Sequence, residues 1–251
     1  MLQCNHLTVT YGKRTILNNI SFTVKEGELT VIIGKNGSGK TTLLHALSSL
    51  VPYKGEILAD AVPLSALTPA MRAKMIAAMP QILPQPPITV RRLVAFGRQP
   101  FTGFSGVLSA NDWEIVDEML ALTGLESLQE SFVDKISGGE RRKAFFAMML
   151  AQKAPLLLAD EPCANLDPEY SKYILSMLKS RKAAGDTILC VLHDINQAFE
   201  IADRLLVIDQ GHLIFDGTPA QAASKHIPQD LFSLSAVTCC AQDGSTITLY
   251  R

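Results

Sequence analysis

A chain of 251 residues with a net charge of −1 has the length of one large domain or two small ones and no global field to draw in nucleic acid or an anionic lipid surface. Its 47% hydrophobic and 19% charged residues exclude a disordered or collagen-like chain, and no apolar run reaches the roughly 18 residues that a membrane span requires. Five cysteines without a C-x-x-C pair and five scattered histidines argue against a disulfide framework or a zinc site. The first six residues carry neither the basic segment nor the apolar block of a secretory signal, so a cytoplasmic chain with reduced thiols is expected.

In chain order, apolar alternation predicts an antiparallel pair of strands over 7–11 and 20–24, with Ile20, Phe22 and Val24 facing inward. The apolar run Leu29-Thr30-Val31-Ile32-Ile33 predicts a buried strand, followed by a glycine-rich turn and a helix with Leu43, Leu44, Leu47 and Leu50 on one face. From about residue 82 to 154 the character changes. A proline-rich link (Pro84, Pro86, Pro87) opens a helical insert, in which Ser109-x-x-Asp112 caps a helix bearing Trp113, Val116, Met119 and Leu120. Strands return over 156–159 and 187–192, separated by a helix from 168 to about 184, a βαβ rhythm that predicts a parallel sheet and an α/β fold. Two hairpins follow, around Gln210-Gly211 and Asp243-Gly244.

Gly34-Lys35-Asn36-Gly37-Ser38-Gly39-Lys40-Thr41 matches the P-loop pattern and stands where that pattern belongs, after a buried strand and opening a helix. Its glycines let backbone N–H groups turn in around phosphate oxygens, and the helix N-terminus adds partial positive charge. Lys40 is expected to reach the β- and γ-phosphates and Thr41 to ligate Mg²⁺. The strand over 156–159 ends in Asp160 and Glu161, at the strand end where open α/β sheets bind ligands. Asp160 fits a Mg²⁺ ligand. Glu161, one residue closer to the γ-phosphate, fits the group that orients or deprotonates the attacking water. Without a P-loop beside them the two acids would read equally well as solvated carboxylates.

Ser137-Gly138-Gly139-Glu140 reads as a helix capping box, yet a cap does not explain two glycines in the first turn, each costing about 1 kcal/mol relative to alanine. The chain thus offers two helix N-termini built to meet phosphate, 39–42 and 137–140, where one nucleotide needs one. Two copies facing head to tail would use both.

Together with Ile136, Leu157-Leu158-Ala159-Asp160-Glu161-Pro162, Ala164-Asn165-Leu166-Asp167 and His193-Asp194, these segments resemble in order and spacing the ATP-binding cassette (ABC) ATPases over nearly the whole chain. The resemblance implies a single ABC ATPase domain over 1–251, an α/β P-loop NTPase. Its parts would be an antiparallel β subdomain and RecA-like core (1–83 and 155–220), an inserted α-helical subdomain (84–154) and a C-terminal extension with a hairpin (221–251). It implies two cassettes sandwiching two ATP molecules with Mg²⁺. Gly34, Asn36, Gly37, Ser38, Gly39, Lys40, Thr41 and Thr42 would hold one ATP, and Ser137, Gly138, Gly139 and Glu140 would meet the ATP on the opposite cassette.

By the same resemblance Glu161, His193, Gln81 and Lys40 are catalytic, with Thr41, Gln81 and Asp160 around the metal. Gln81 corresponds to a glutamine sensing the γ-phosphate, His193 to a switch histidine, Tyr11 to an aromatic stacking on adenine, and Asp167 to a loop that communicates across the dimer. Otherwise Gln81 would be a surface glutamine, His193 a satisfied buried histidine, Tyr11 a strand-end aromatic and Asp167-Pro168 a helix cap and its first residue. Lys35, Ile136, Ala159 and Cys163 depart from the usual pattern without removing a charge or hydroxyl named above, so hydrolysis is expected to survive. Arg141-Arg142-Lys143 is also less typical and reads as a solvated helical face.

The segment over 90–100, with Gly97-Arg98-Gln99-Pro100, resembles importers of ferric siderophores, haem and cobalamin. It implies transmembrane permease subunits, an extracytoplasmic substrate-binding protein acting indirectly, no nucleic acid, and a cytoplasmic place on the inner face of the membrane through the permease. The rivals are a soluble ABC ATPase of the iron–sulfur cluster assembly type and an ATP-driven clamp on nucleic acid. Neutral charge and the lack of coiled-coil heptads speak against the clamp. The permease contact is expected between core and insert, along Gln81 and residues 82–104, with Arg98 and Phe101 as its test positions; of Phe96, Phe101 and Phe104 at least one is expected in the core of the insert, and two exposed would form the socket.

Overall fold

A computed structural model describes residues 1–103, 106–164, 166–240 and 246–251. Phe104, Asn165 and the Asp243-Gly244 turn, named above, lie outside the described residues. Strands β1 (Leu2–Tyr11) and β2 (Arg14–Val24) form the expected antiparallel pair. Both start earlier than the alternation suggests, because register shifts along the pair break the strict period of two. β3 (Leu29–Ile33) is buried at every residue, as a strand covered on both faces must be. It leads through the glycine-rich turn into α1 (Lys40–Leu47), which ends short of Leu50, an exposed residue.

β4 (Lys54–Ala59), β5 (Val62–Pro63), α2 (Pro69–Met75) and β6 (Ile76–Met79) come next. Helices α3 (Val90–Ala95), α4 (Ala110–Leu122) and α5 (Gly138–Ala151) then lead to β7 (Leu156–Asp160). The Ser109 capping box is present at α4. After it come α6 (Pro168–Ala183), β8 (Thr187–Val191), α7 (Ile195–Ile201), β9 (Arg204–Asp209), β10 (His212–Gly217), α8 (Pro219–Ser224), α9 (Ile227–Phe232), β11 (Ala236–Cys240) and β12 (Thr246–Tyr250).

Among the described residues the central sheet runs β10-β9-β3-β8-β7-β6, parallel throughout except at β9–β10. A second, antiparallel sheet runs β2-β1-β4-β5. Central strands alternate their side chains between two cores. Val31, Leu157, Ile188 and Val207 meet Val116, Phe146 and Leu178 on the helical side, while Ile32, Leu158, Leu189 and Leu206 meet Leu43, Leu7 and Ile20 on the other. The carboxyl ends of β3, β6, β7 and β8 lie side by side, and every catalytic candidate follows one of them.

Arg98 corrects the expected docking surface. Its residue is only 6% exposed. Nε donates to Asp112 Oδ1 at 2.9 Å and Nη1 to the Ala151 carbonyl at 2.9 Å, with the guanidinium 4.0 Å from the Phe101 ring centre. Gly97 is equally internal, since a Cβ there would come within 2.3 Å of the Met148 carbonyl. The Gly97-Arg98 pair therefore ties α3 and α4 to α5, and the exposed apolar groups nearby are Ile82, Phe96 and Phe101. At the other end of the chain, Asn196 on α7 exchanges hydrogen bonds with the Tyr250 backbone (3.1 and 2.9 Å), and the Phe199 and Tyr250 rings lie 4.9 Å apart. No helix among the described residues is long and apolar enough to cross a membrane.

Candidate functional site

At the converging strand ends a cavity of about 540 Å³ is walled by Asn36, Gly37, Gly39, Lys40, Thr41 and Thr42, by Gln81, Glu161 and His193, and by Arg14 and Ile16. Two of its glycines are required by backbone shape, Gly37 at φ 75° and Gly39 at φ 108°. A Cβ on Gly39 would also strike Leu17 Cδ2 at 2.6 Å, whereas one on Gly37 meets nothing within 4 Å, which leaves that face open to a ligand. No side chain among the described residues caps α1, so its first-turn N–H groups remain for an anion.

Lys40 is buried inside the loop, its Nζ donating to the carbonyls of Gly34 (2.8 Å) and Lys35 (2.9 Å). Burial lowers its pKa, and the carboxylates of Glu161 and Asp160 partly offset that. Asp160, at the end of β7, is 2% exposed, and neither carboxylate oxygen has a hydrogen-bond partner among the described residues. Burial raises its pKa and Glu161 raises it further, while the nearby Thr41 hydroxyl, His45 and Lys40 pull it down. A buried carboxylate in this state is costly unless a cation meets it. The oxygen donors of Asp160 and Thr41 are those a hard ion such as Mg²⁺ prefers, so the residues present fit it.

Glu161 follows with φ 48°, a left-handed conformation that costs a non-glycine residue about 1 to 2 kcal/mol. Its Oε2 accepts a 2.9 Å hydrogen bond from Gln81 Nε2, which joins two residues 80 positions apart. Gln81 reaches this place from the end of β6. His193 is exposed on the cavity wall just beyond β8, and Asp194 beside it caps α7 by accepting from the N–H groups of Asn196 (2.8 Å) and Gln197 (3.2 Å).

Tyr11 is 46% exposed and does not line the cavity; Arg14, its partner across β1–β2, does, together with Ile16. Sequence reasoning missed both, although a strand drawn from residue 14 would have set 14 and 16 on one face. Ser137, Gly138, Gly139, Glu140 and Asp167 also lie away from the cavity wall. Ser137 and Glu140 form a reciprocal cap on α5 (3.2 and 2.8 Å), and the Ser137 bonds hold the Glu140 carboxyl below its usual pKa. Asp167 caps α6 by accepting from the Tyr170 N–H at 2.9 Å. A Cβ on Gly138 would meet nothing nearer than Arg141 at 4.0 Å, and one on Gly139 nothing nearer than Leu166 at 3.6 Å. The described packing of a single copy does not require these two glycines.

Arg142 is not part of a solvated face. It is 8% exposed, and Nη1 donates to the Glu161 carbonyl at 2.8 Å and Nη2 to the Gln81 carbonyl at 3.5 Å. Arg142, Phe145, Phe146 and Met149 are all buried, and their i, i+3, i+4, i+7 spacing is the signal that would have found it.

The sequence matches the family described as ABC transporter over residues 17–164, more than half of the chain. This chain belongs to the ABC transporter ATPases. The cassette is 37% identical to the petrobactin import ATP-binding protein FpuC of Bacillus anthracis, over 93% of this chain and 87% of that protein. It is 34% identical to the ferric enterobactin transport ATP-binding protein FepC of Escherichia coli strain K12, again over 93% and 87%. Its fold is similar to the dimeric post-hydrolysis structure of the ATP-binding cassette MJ0796 bound to ADP and Pi. The TM-score is 0.79 at 27% identity, over 87% of this chain and 99% of that one. The cassette binds ATP with Mg²⁺ and hydrolyses it.

Proposed function

We propose that the cassette is the ATP-hydrolysing subunit of a membrane importer of the iron-siderophore, haem or cobalamin type. The observation that carries the catalytic part is the meeting of Lys40, Thr41, Gln81, Glu161 and His193 at one cavity with Asp160 bare beneath it. Lys40 and the α1 N-terminus bind the phosphates, Asp160 and Thr41 hold Mg²⁺, and Glu161 takes the proton of the attacking water as the bond between the β- and γ-phosphates breaks. The bound ion supplies neutralisation of charge developing on the transferring phosphoryl group. Gln81 orients Glu161, and His193 contacts the γ-phosphate. Adenine lies against Ile16 at the cavity wall and extends beyond it to stack on exposed Tyr11. Gly138, Gly139, Ser137 and Glu140 meet the ATP of a second copy, with Asp167 at the junction, a role supported by the room around the two glycines.

Import of an iron chelate is supported by the printed roles of FpuC and FepC, and the iron–sulfur assembly alternative is not favoured. Permease subunits would then hold the cassette at the inner face of the membrane, with a substrate-binding protein outside. The permease would seat in a groove of about 420 Å³ between the end of α1, α2, β6 and Gln152, rimmed by exposed Leu50. The test is reconstitution with the cognate permease in vesicles. ATP-dependent uptake of a ferric siderophore is expected, and Glu161→Gln should keep ATP binding while phosphate release falls by about 10² or more. An ATP-trapped dimer of that variant should elute early on size exclusion. Equal phosphate release by the two proteins refutes the role of Glu161, and absence of uptake with every iron chelate, haem and cobalamin refutes the importer class.

A further inference from the structure

We propose that Arg142 is a positioning residue for hydrolysis: from the helix that begins at Ser137 it holds the main chain of Glu161 and Gln81. This rests on the roles proposed above for Glu161 and Gln81.

The geometry is specific. Of the carbonyls a buried guanidinium could satisfy, Arg142 takes those of Glu161 (2.8 Å) and Gln81 (3.5 Å), the two residues whose side chains are themselves bonded at 2.9 Å. Arg142 lies 19 residues from one and 61 from the other, so local chain folding does not bring them together. Binding the carbonyl of Glu161 rather than its carboxylate leaves both oxygens of that carboxylate free of the guanidinium, so the contact orients the base without neutralising it. The left-handed φ of 48° at Glu161 persists only where surrounding contacts over-determine it, and Arg142 adds a side-chain donor to the backbone bonds there, from the Ala164 N–H to the Glu161 carbonyl (3.0 Å) and from the Glu161 N–H to the Val191 carbonyl (3.2 Å). A planar fork can span two carbonyls rigidly; a lysine ammonium presents a point charge on a flexible stem. The next residue, Lys143, lies 4.1 Å from the Tyr170 ring centre, so consecutive side chains tie α5 both to the hydrolytic pair and to the helix capped by Asp167. Since the first turn of α5 is the part assigned to the ATP of a second copy, Arg142 links the helix that meets that ATP to the Glu161 of its own site.

The experiment compares wild type, Arg142→Met, Arg142→Lys and Glu161→Gln in steady-state ATP hydrolysis, with thermal unfolding of each. Arg142→Met keeps apolar bulk but loses both bonds, so kcat should fall by roughly tenfold or more while KM for ATP stays within about twofold. Arg142→Lys, which can still serve the Glu161 carbonyl, should recover part of kcat. If Arg142→Met fails to fold, Arg142→Lys decides: reduced kcat at unchanged KM supports positioning, and a wild-type kcat overturns it. A parallel loss of kcat, ATP affinity and thermal midpoint in every folded Arg142 variant also overturns it, leaving a residue that only holds the fold together. Glu161→Gln separates the two levels. If it stalls while Arg142→Met turns over at the wild-type rate, the site stands and Arg142 does not position it; if Glu161→Gln itself turns over normally, the role of Glu161 falls and that of Arg142 with it.

Discussion

Arg98→Met should damage the stability of the cassette rather than its coupling to a partner. The side chains of Arg98 and Asp112 are 7% and 9% exposed and bond at 2.9 Å. Removing the cation leaves Asp112 as a buried charge without its partner, a change worth about 3 to 5 kcal/mol. The Ala151 carbonyl loses a donor as well. At about 2 to 4 °C per kcal/mol for a chain of this size, the thermal midpoint should fall by about 6 to 20 °C, read by calorimetry. The effect has a pH signature. The Ser109 hydroxyl, then its backbone N–H and Arg98, hold the Asp112 carboxyl below its ordinary pKa. The stability this contributes is complete above the unfolded carboxylate value of about 3.9 and is lost as pH falls through the lowered folded value. The gap between wild type and Arg98→Met is therefore widest near neutral pH and narrows below about pH 4. Adding Asp112→Asn to Arg98→Met should restore part of the loss, since no bare charge remains. A thermal midpoint unchanged by Arg98→Met, with permease binding abolished, would refute the buried tie and return Arg98 to a docking surface.

Tyr11→Ala should weaken ATP binding by about 0.5 to 1.5 kcal/mol, the scale of an aromatic stacking contact, as measured by calorimetric titration; unchanged affinity would leave adenine to Ile16 alone. Asp160→Asn should abolish Mg²⁺-dependent hydrolysis yet raise the thermal midpoint of the nucleotide-free cassette at neutral pH. Because burial raises the Asp160 pKa, its carboxylate weakens the fold as pH rises through the folded value, and the difference between variant and wild type should vanish below the unfolded value. Leu50→Glu, at the rim of the groove assigned to the permease, should block uptake in vesicles while hydrolysis by the isolated cassette persists.

The central sheet was legible because β3, β7 and β8 are continuous apolar runs, and Lys40, Asp160 and Glu161 because they punctuate the ends of two of those runs, whereas Gln81 and His193 were named through the family resemblance. β4, β5 and β6 were not legible. β4 carries Gly55 at φ 94°, where a Cβ would strike the His6 carbonyl at 2.5 Å; β5 has two residues; and β6 follows α2 with no turn residue between them. In the site, Glu161 was named from the strand-end pattern and Gln81 from the family resemblance, but their bond and its attachment to Arg142 arise from tertiary packing. Three consecutive charges resemble a wet surface until the helix is wound, when successive residues turn by about 100° and one of the three must face inward.

The room around Gly138 and Gly139 bears on what kind of selection can preserve them. An alanine at either place fits the described surroundings and favours a helix by up to about 1 kcal/mol. A population of variants sorted by abundance of folded protein would therefore drift toward alanine at both positions, whereas one sorted by growth on an imported nutrient would hold glycine. Comparing the two enrichment maps would outline the face that serves a second copy without solving the complex, and it would do so most sharply where folding and function pull in opposite directions.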